Sequence, residues 1–243
     1  MATIFPPRDA AHSAAGVPRL SRTGIMSTLL AFWAVLIGAS VVQDAMAALG
    51  LLGDRVWMLD VEVETGIYTW FSTLLLAGAA LVCGVVALEK QAAGDRLRFH
   101  WALLAAIFLA LSADEACSVH EALSGRLTAG LGTSGLLHFA WVIPAMFACA
   151  AGLLLFIPFI QSFPPRLRTW LLVSAAAFLT GAIGMEMAAG AIGAGSEEVL
   201  RSGAYRLLAN LEEALEGGAV ILFIAVILAD RAARPEAIRL RFV

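Results

Sequence analysis

The chain has 243 residues, 60% of them hydrophobic and 14% charged, with a mean hydropathy of +0.86. Soluble domains carry about 25% charged residues, so the composition excludes an ordinary soluble domain and points to one multi-pass membrane domain. A formal charge of −3 leaves no basic footprint for nucleic acid, and no GxxxxGK[ST] phosphate loop occurs.

In chain order, residues 1–23 hold Pro6, Pro7, Ser13, Gly16 and Pro18 and read as a flexible cytoplasmic tail. Residues 24–229 then read as an all-α bundle of six transmembrane helices, with apolar runs at 24–44, 66–88, 100–121, 138–161, 169–192 and 205–229. Each exceeds the roughly 20 residues a span requires. "AMA" at 45–47 resembles a signal cleavage site. The apolar run from Gly24 to Val42 exceeds the usual core of a signal, however, so span 1 is expected to be retained. The paired prolines of "QSFPPRLR" separate spans 4 and 5, because proline cannot continue a helix. Residues 230–243 read as a second cytoplasmic tail.

Orientation follows from Lys and Arg. With both termini cytoplasmic, twelve basic residues fall inside and four (Arg55, Arg126, Arg201 and Arg206) outside, which satisfies the positive-inside rule. Trp57, Tyr68 and Trp70 then lie near the outer interface, and Trp101 and Trp170 near the inner one, where amphipathic rings concentrate.

Span 3 ends in "FLALSADEACSVHEALSG", residues 108–125, where three carboxylates and an imidazole follow an apolar run. At a rise of about 1.5 Å per residue, Asp114 lies ~21 Å and Glu121 ~31 Å from the inner end of its span, Glu186 ~25 Å, and Glu216, Glu213 and Glu212 ~20–25 Å. Acids from three helices thus reach the outer half of a ~30 Å hydrocarbon layer. There they must face the bundle interior or a wet cavity and find partners. On a regular helix Asp114, Cys117 and Glu121 share one stripe, whereas Glu115 and His120 point elsewhere unless the helix end unwinds. The glycines and alanines of "LTGAIGMEMAAGAIGAG" permit close helix approach and place span 5 centrally. Met185 and Met187 read as packing residues. Span 6 opens on a polar face in which Tyr205, Arg206 and Asn210 precede the glutamates as charge partners, with Arg201 and Arg126 able to reach from outside. Asp44 and His138 lie near the outer rim. The cysteines Cys83, Cys117 and Cys149 are isolated in apolar sequence and show no CxxC spacing.

Carboxylates and imidazoles from several helices of a bundle can chelate a metal. The expected cofactor is a divalent ion (Zn, Mn or Fe) at Asp114, Glu186, Glu212 and Glu216. Glu115, His120, Glu121, His138 and Glu213 stand as further ligands or supporting groups. The di-metal bundle signature of a Glu-x-x-His on each of two helices is absent, as is H-E-x-x-H.

"LSADEACSVHE" followed by "LEEALEGGAVILF" resembles a pattern of uncharacterised bacterial multi-pass inner-membrane proteins, S-x-D-E-x4-H-E with a late E-E-x-x-E. The resemblance implies a bacterial inner-membrane location and carries no activity. Ceramidase-type zinc hydrolases also set His, Asp and Ser in a helical bundle, but their last-span histidine pair is missing here.

The leading expectation is therefore a periplasm-facing metal site, either structural or water-activating, which leaves a metal-dependent membrane hydrolase or oxidoreductase open. A proton- or cation-coupled transporter is the first alternative. An accessory subunit paired with another membrane protein is the second. The expected surroundings are the lipid bilayer and such a partner, without nucleic acid.

Overall fold

Helices follow the apolar runs, and serine side chains cap the starts of three of those described. A computed structural model describes residues 21–193 and 196–233. Most of the two expected tails, with Arg8, His12, Arg19, Arg234, Arg239 and Arg241, lies outside the described residues. Helix α1 (Arg22–Ala48) starts where the Ser21 hydroxyl accepts the Gly24 N–H at 3.2 Å. It is followed by α2 (Ile67–Ala92), α3 (Arg98–Cys117), α4 (Val119–Leu131) and α5 (Val142–Gln161). Pro165 opens α6 (Pro165–Leu179), where its missing N–H costs nothing. A π-helical turn, Thr180–Met185, leads directly into α7 (Glu186–Ala191). The short α8 (Glu197–Leu200) precedes α9 (Gly203–Ala232). No strand occurs among the described residues.

Five stretches are long and apolar enough to cross a membrane: α1, α2, α3, α5 and the continuous segment Pro165–Ala191. Helix α9 has 30 residues and joins the apolar run "AVILFIAVILA" to Glu212, Glu213 and Glu216. Those charges keep it out of the five.

Small and hydroxyl residues set the packing. The Ser112 hydroxyl donates to the Thr73 carbonyl at 2.9 Å, joining α3 to α2, and Ser174 donates to the Ala219 carbonyl at 2.8 Å, joining α6 to α9. Helix α9 packs against α1, α2, α6 and the π turn. Its residues Val220, Ile221, Ile224 and Ile227 share a core with Leu75, Leu76, Ala79 and Cys83 of α2. Half of the most apolar window of α2 is buried, against 17% for Pro165–Ala191 and 6% for α5. Span 5 is therefore not the central helix that its glycines suggest. Its small residues serve two contacts, Gly181 with α9 and Gly190 with the Gly135–Leu137 turn, and leave much of its surface open.

The bundle has two ends. At the base, Trp101, Phe159 and Phe163 form an edge-to-face aromatic cluster, and Arg231 pairs with Glu89. At the top lie the α1–α2 connection (49–66), the α3–α4 junction and the first turns of α9.

Candidate functional site

The site begins with one backbone residue. Ser118 has φ 49° and ψ 43°, the left-handed region, and is the one non-glycine residue with positive φ among those described. That conformation costs a side-chain-bearing residue roughly 1–2 kcal/mol. It ends α3 at Cys117, so the single span expected over 100–121 divides there. The chain restarts as α4 and brings His120 back over Asp114. Asp114 Oδ1 accepts the His120 backbone N–H at 2.8 Å, and Oδ2 lies 2.9 Å from His120 Nδ1. The common stripe of Asp114 and Glu121, drawn on a regular helix, does not survive the break. The Ser118 hydroxyl donates to Glu64 Oε2 at 2.8 Å, tying the junction to the α1–α2 connection.

A second irregularity shapes the opposite wall. A π turn holds one more residue than an α turn and rotates the helix beyond it, and such turns recur at functional sites. Here it immediately precedes Glu186. Gly181 lies in that turn against α9: a Cβ on it would meet Glu216 Cγ at 2.8 Å and the Glu212 carbonyl at 3.0 Å. Only glycine allows this approach. Glu186 Oε1 accepts the Trp141 indole N–H at 3.2 Å, while Oε2 is buried without a hydrogen-bond partner among the described residues.

These walls enclose a cavity of about 150 Å³. Asp114, Glu115, His120 and Glu121 line it from α3 and α4, Glu186 from α7, and Tyr205, Glu212, Glu213 and Glu216 from α9. Phe139, Trp141 and Phe178 add aromatic surface. Glu62 and Glu64 enter from the α1–α2 connection. Sequence reasoning misses both, because "DVEVETG" reads as a solvated loop. The one available signal is the acid at every second position, which puts Asp60, Glu62 and Glu64 on one side of extended chain.

Within the cavity, Glu64, His120 and Glu121 each offer a ligand atom, and the three atoms lie within 4.8 Å of one another. Of the residues expected to ligate, Asp114 touches His120, and Glu186, Glu212 and Glu216 line the same cavity outside that group of three. His138 is not among the lining residues. Its carbonyl accepts the Thr128 hydroxyl at 2.8 Å, and its ring meets Phe139 edge to face. Cys117 is exposed and Cys83 buried.

The expected charge partners divide. Tyr205 lines the cavity and donates to Glu62 Oε1 at 2.5 Å. Arg206 turns away from the α9 glutamates. Only 4% exposed, it pairs with Asp60 and Glu62 and reaches Asp44 at 3.2 Å. Asn210 donates to Asp44 at 2.7 Å, and Arg55 reaches the same carboxylate at 2.5 Å. Arg201 is exposed and lies 3.6 Å from Glu197.

Outside the five spanning stretches, the local environment shifts three titrations. Burial disfavours the His120 cation, but the hydrogen bond and charge of Asp114, with Glu186 and Glu64, push its pKa up to about 9. Burial raises Glu121, helped by the neighbouring charge of Glu64. Burial also raises Glu62, against the pull of Tyr205 and Arg206.

A family model matches residues 29–230, which takes in every wall of this cavity. The chain belongs to the DUF8692 family, a domain of unknown function. No curated protein and no solved structure matches it. The DUF8692 match runs from α1 into the last turns of α9, so the cavity of this chain lies wholly within the matched region.

Proposed function

We propose that this DUF8692 protein crosses the bacterial inner membrane six times, with both termini cytoplasmic, and holds a divalent cation in a cavity facing the periplasm. The sixth span is α9, whose 30 residues suffice for a crossing. Its glutamates line the cavity, so none of the three has to be carried against lipid.

The observation that carries the cation reading is the convergence of Glu64, His120 and Glu121 within 4.8 Å, with Asp114 hydrogen-bonded to the imidazole at Nδ1. Asp114 engages Nδ1 and leaves Nε2 as the ligating nitrogen. A carboxylate behind a ligating histidine fixes its tautomer and raises its basicity. Two carboxylates and one imidazole suit Zn, Mn or Fe and leave coordination positions for water. Glu186, Glu212 and Glu216 are then the acids that accept protons or orient that water, so the metal is either structural or water-activating. Metal analysis of the purified protein tests this. Near-stoichiometric Zn, Mn or Fe in the wild type, lost in Glu64→Gln and His120→Gln, is expected. Protein that is metal-free after gentle extraction and binds none of the three when added overturns the reading.

Coupled transport is a second reading, favoured by the depth of the acids: Glu212, Glu213 and Glu216 extend the cavity along α9 toward the bundle centre, beyond the group of three. It predicts proton movement linked to cation flux in proteoliposomes, and pH-independent flux counts against it.

A further inference from the structure

The α1–α2 connection, residues 49–66, contains no regular element beyond the 3₁₀ turn Trp57–Leu59. Its first part stands away from the bundle, with Leu49 73% and Trp57 54% exposed. Its last part is drawn in. Val61 is 2% exposed, and Glu62 and Glu64 line the cavity. Backbone pairing does not account for this course. The chain curls on itself, with the Gly66 N–H donating to the Val63 carbonyl at 2.7 Å and Thr69 donating to the same carbonyl at 3.0 Å, and the Val56 N–H donates to Gln43 Oε1 of α1 at 3.2 Å. Val61 is anchored in the apolar core, and side-chain charge holds the acids on either side of it. Arg206 of α9 spreads its guanidinium over Asp60 and Glu62 of the connection and Asp44 of α1, and Tyr205 adds a second hold on Glu62.

We infer that residues 49–66 form a strap closed over the cavity, and that Arg206 is the positioning residue that holds it shut and thereby sets Glu64. The assignment of Glu64 as a ligand rests on the cation reading above; the strap does not.

The chemistry favours a latch over a fixed wall. A segment held by one buried valine, a few ion pairs and side-chain hydrogen bonds, without a ladder of backbone hydrogen bonds, belongs to the low-stability end of a structure and opens locally without global unfolding. Arginine suits the role because its planar fork can serve several carboxylates at once, which a lysine ammonium on the same stem cannot match. Most of the latch lies outside the cavity lining, and Glu62 and Tyr205 are the two residues that belong to both. Arg206 faces Asp44, Asp60 and Glu62, and Arg55 supplies the second cation of the cluster. Neutralising one acid at the latch therefore loosens the strap while leaving the α3, α7 and α9 walls unchanged.

Thiol accessibility tests the strap without any metal. In a Cys117→Ser, Cys149→Ser background, Ala189→Cys places a reporter on the cavity wall, and Ser134→Cys places one on an exposed connection. The full chain in proteoliposomes, with chelator present, is treated with a small charged methanethiosulfonate. Arg206→Gln and Glu62→Gln are expected to raise the labelling rate at residue 189 at least tenfold and leave residue 134 unchanged. Glu62→Gln keeps Arg206 paired with Asp44 and Asp60, so it decides alone if Arg206→Gln fails to fold. A rate at residue 189 unchanged in every folded variant, or one that rises equally at both reporters, overturns the inference. Faster labelling in a protein that binds no cation leaves the strap standing and removes the cation reading. Unchanged labelling in a protein that does bind one has the reverse meaning.

Discussion

Asp114 holds His120 twice, through the backbone N–H at 2.8 Å and through Nδ1 at 2.9 Å. The two residues are six apart, which on an unbroken α-helix would put them about 120° apart around the axis and nearly two turns along it. The left-handed turn at Ser118 brings them together.

Asp114→Asn is expected to lower cation affinity about 10–100-fold, the usual cost of removing a carboxylate behind a ligating histidine. The amide oxygen can still accept the His120 backbone N–H, so the junction keeps its shape. Titration calorimetry with added Zn or Mn checks the affinity, and an unchanged circular dichroism melt checks the fold. Equal affinity in variant and wild type would remove Asp114 from the site.

The pH dependence has a definite sign. His120 must lose its proton to ligate, and its pKa without metal is pushed up to about 9. Below that value protons compete with the cation, so affinity should climb as pH rises from 6 toward about 9 and level off above it. Binding at pH 7 should release close to one proton from this imidazole, read as a buffer-dependent enthalpy in calorimetry. Affinity flat over that range would show that His120 is not a ligand.

Gly181→Ala forces the π turn away from α9, because the new Cβ meets Glu216 Cγ at 2.8 Å. Overpacking of this kind costs about 1–3 kcal/mol. Gly217→Ala meets the Tyr68 hydroxyl at 2.7 Å and Trp33 Cδ1 at 2.9 Å and should cost a similar amount. Gly152→Ala, with open space around its Cβ, should be neutral. Thermal melts of the three in detergent provide the comparison; equal melting temperatures would contradict the close approaches.

A reporter enzyme fused after Val243 should be active only in the cytoplasm, as an even number of spans and the arginine bias require. Activity in the periplasm would invert the bundle and turn the cavity inward.

Composition and hydropathy by themselves determined that the chain is helical and membrane-like, and roughly where its long helices lie. Each apolar run carries that information locally, and "QSFPPRLR" ends one helix and starts the next by proline chemistry alone. The acids of "SADEACSVHE" and "NLEEALE" were visible as misfits in apolar sequence. Their common depth was legible too, but the detailed arrangement around His120 and Glu186 was not. It depends on a left-handed Ser118 and on a π turn before Glu186, two backbone departures that a regular projection at ~100° per residue cannot foresee. Glu64 and the two connector carboxylates beside Arg206, Asp60 and Glu62, were hidden for another reason. Acids in a short connector look solvated in sequence, and only the fold of 49–66 against α9 buries them. Tertiary structure likewise put α9 at the centre, because the depth at which a helix packs depends on all its neighbours and not on its own small residues.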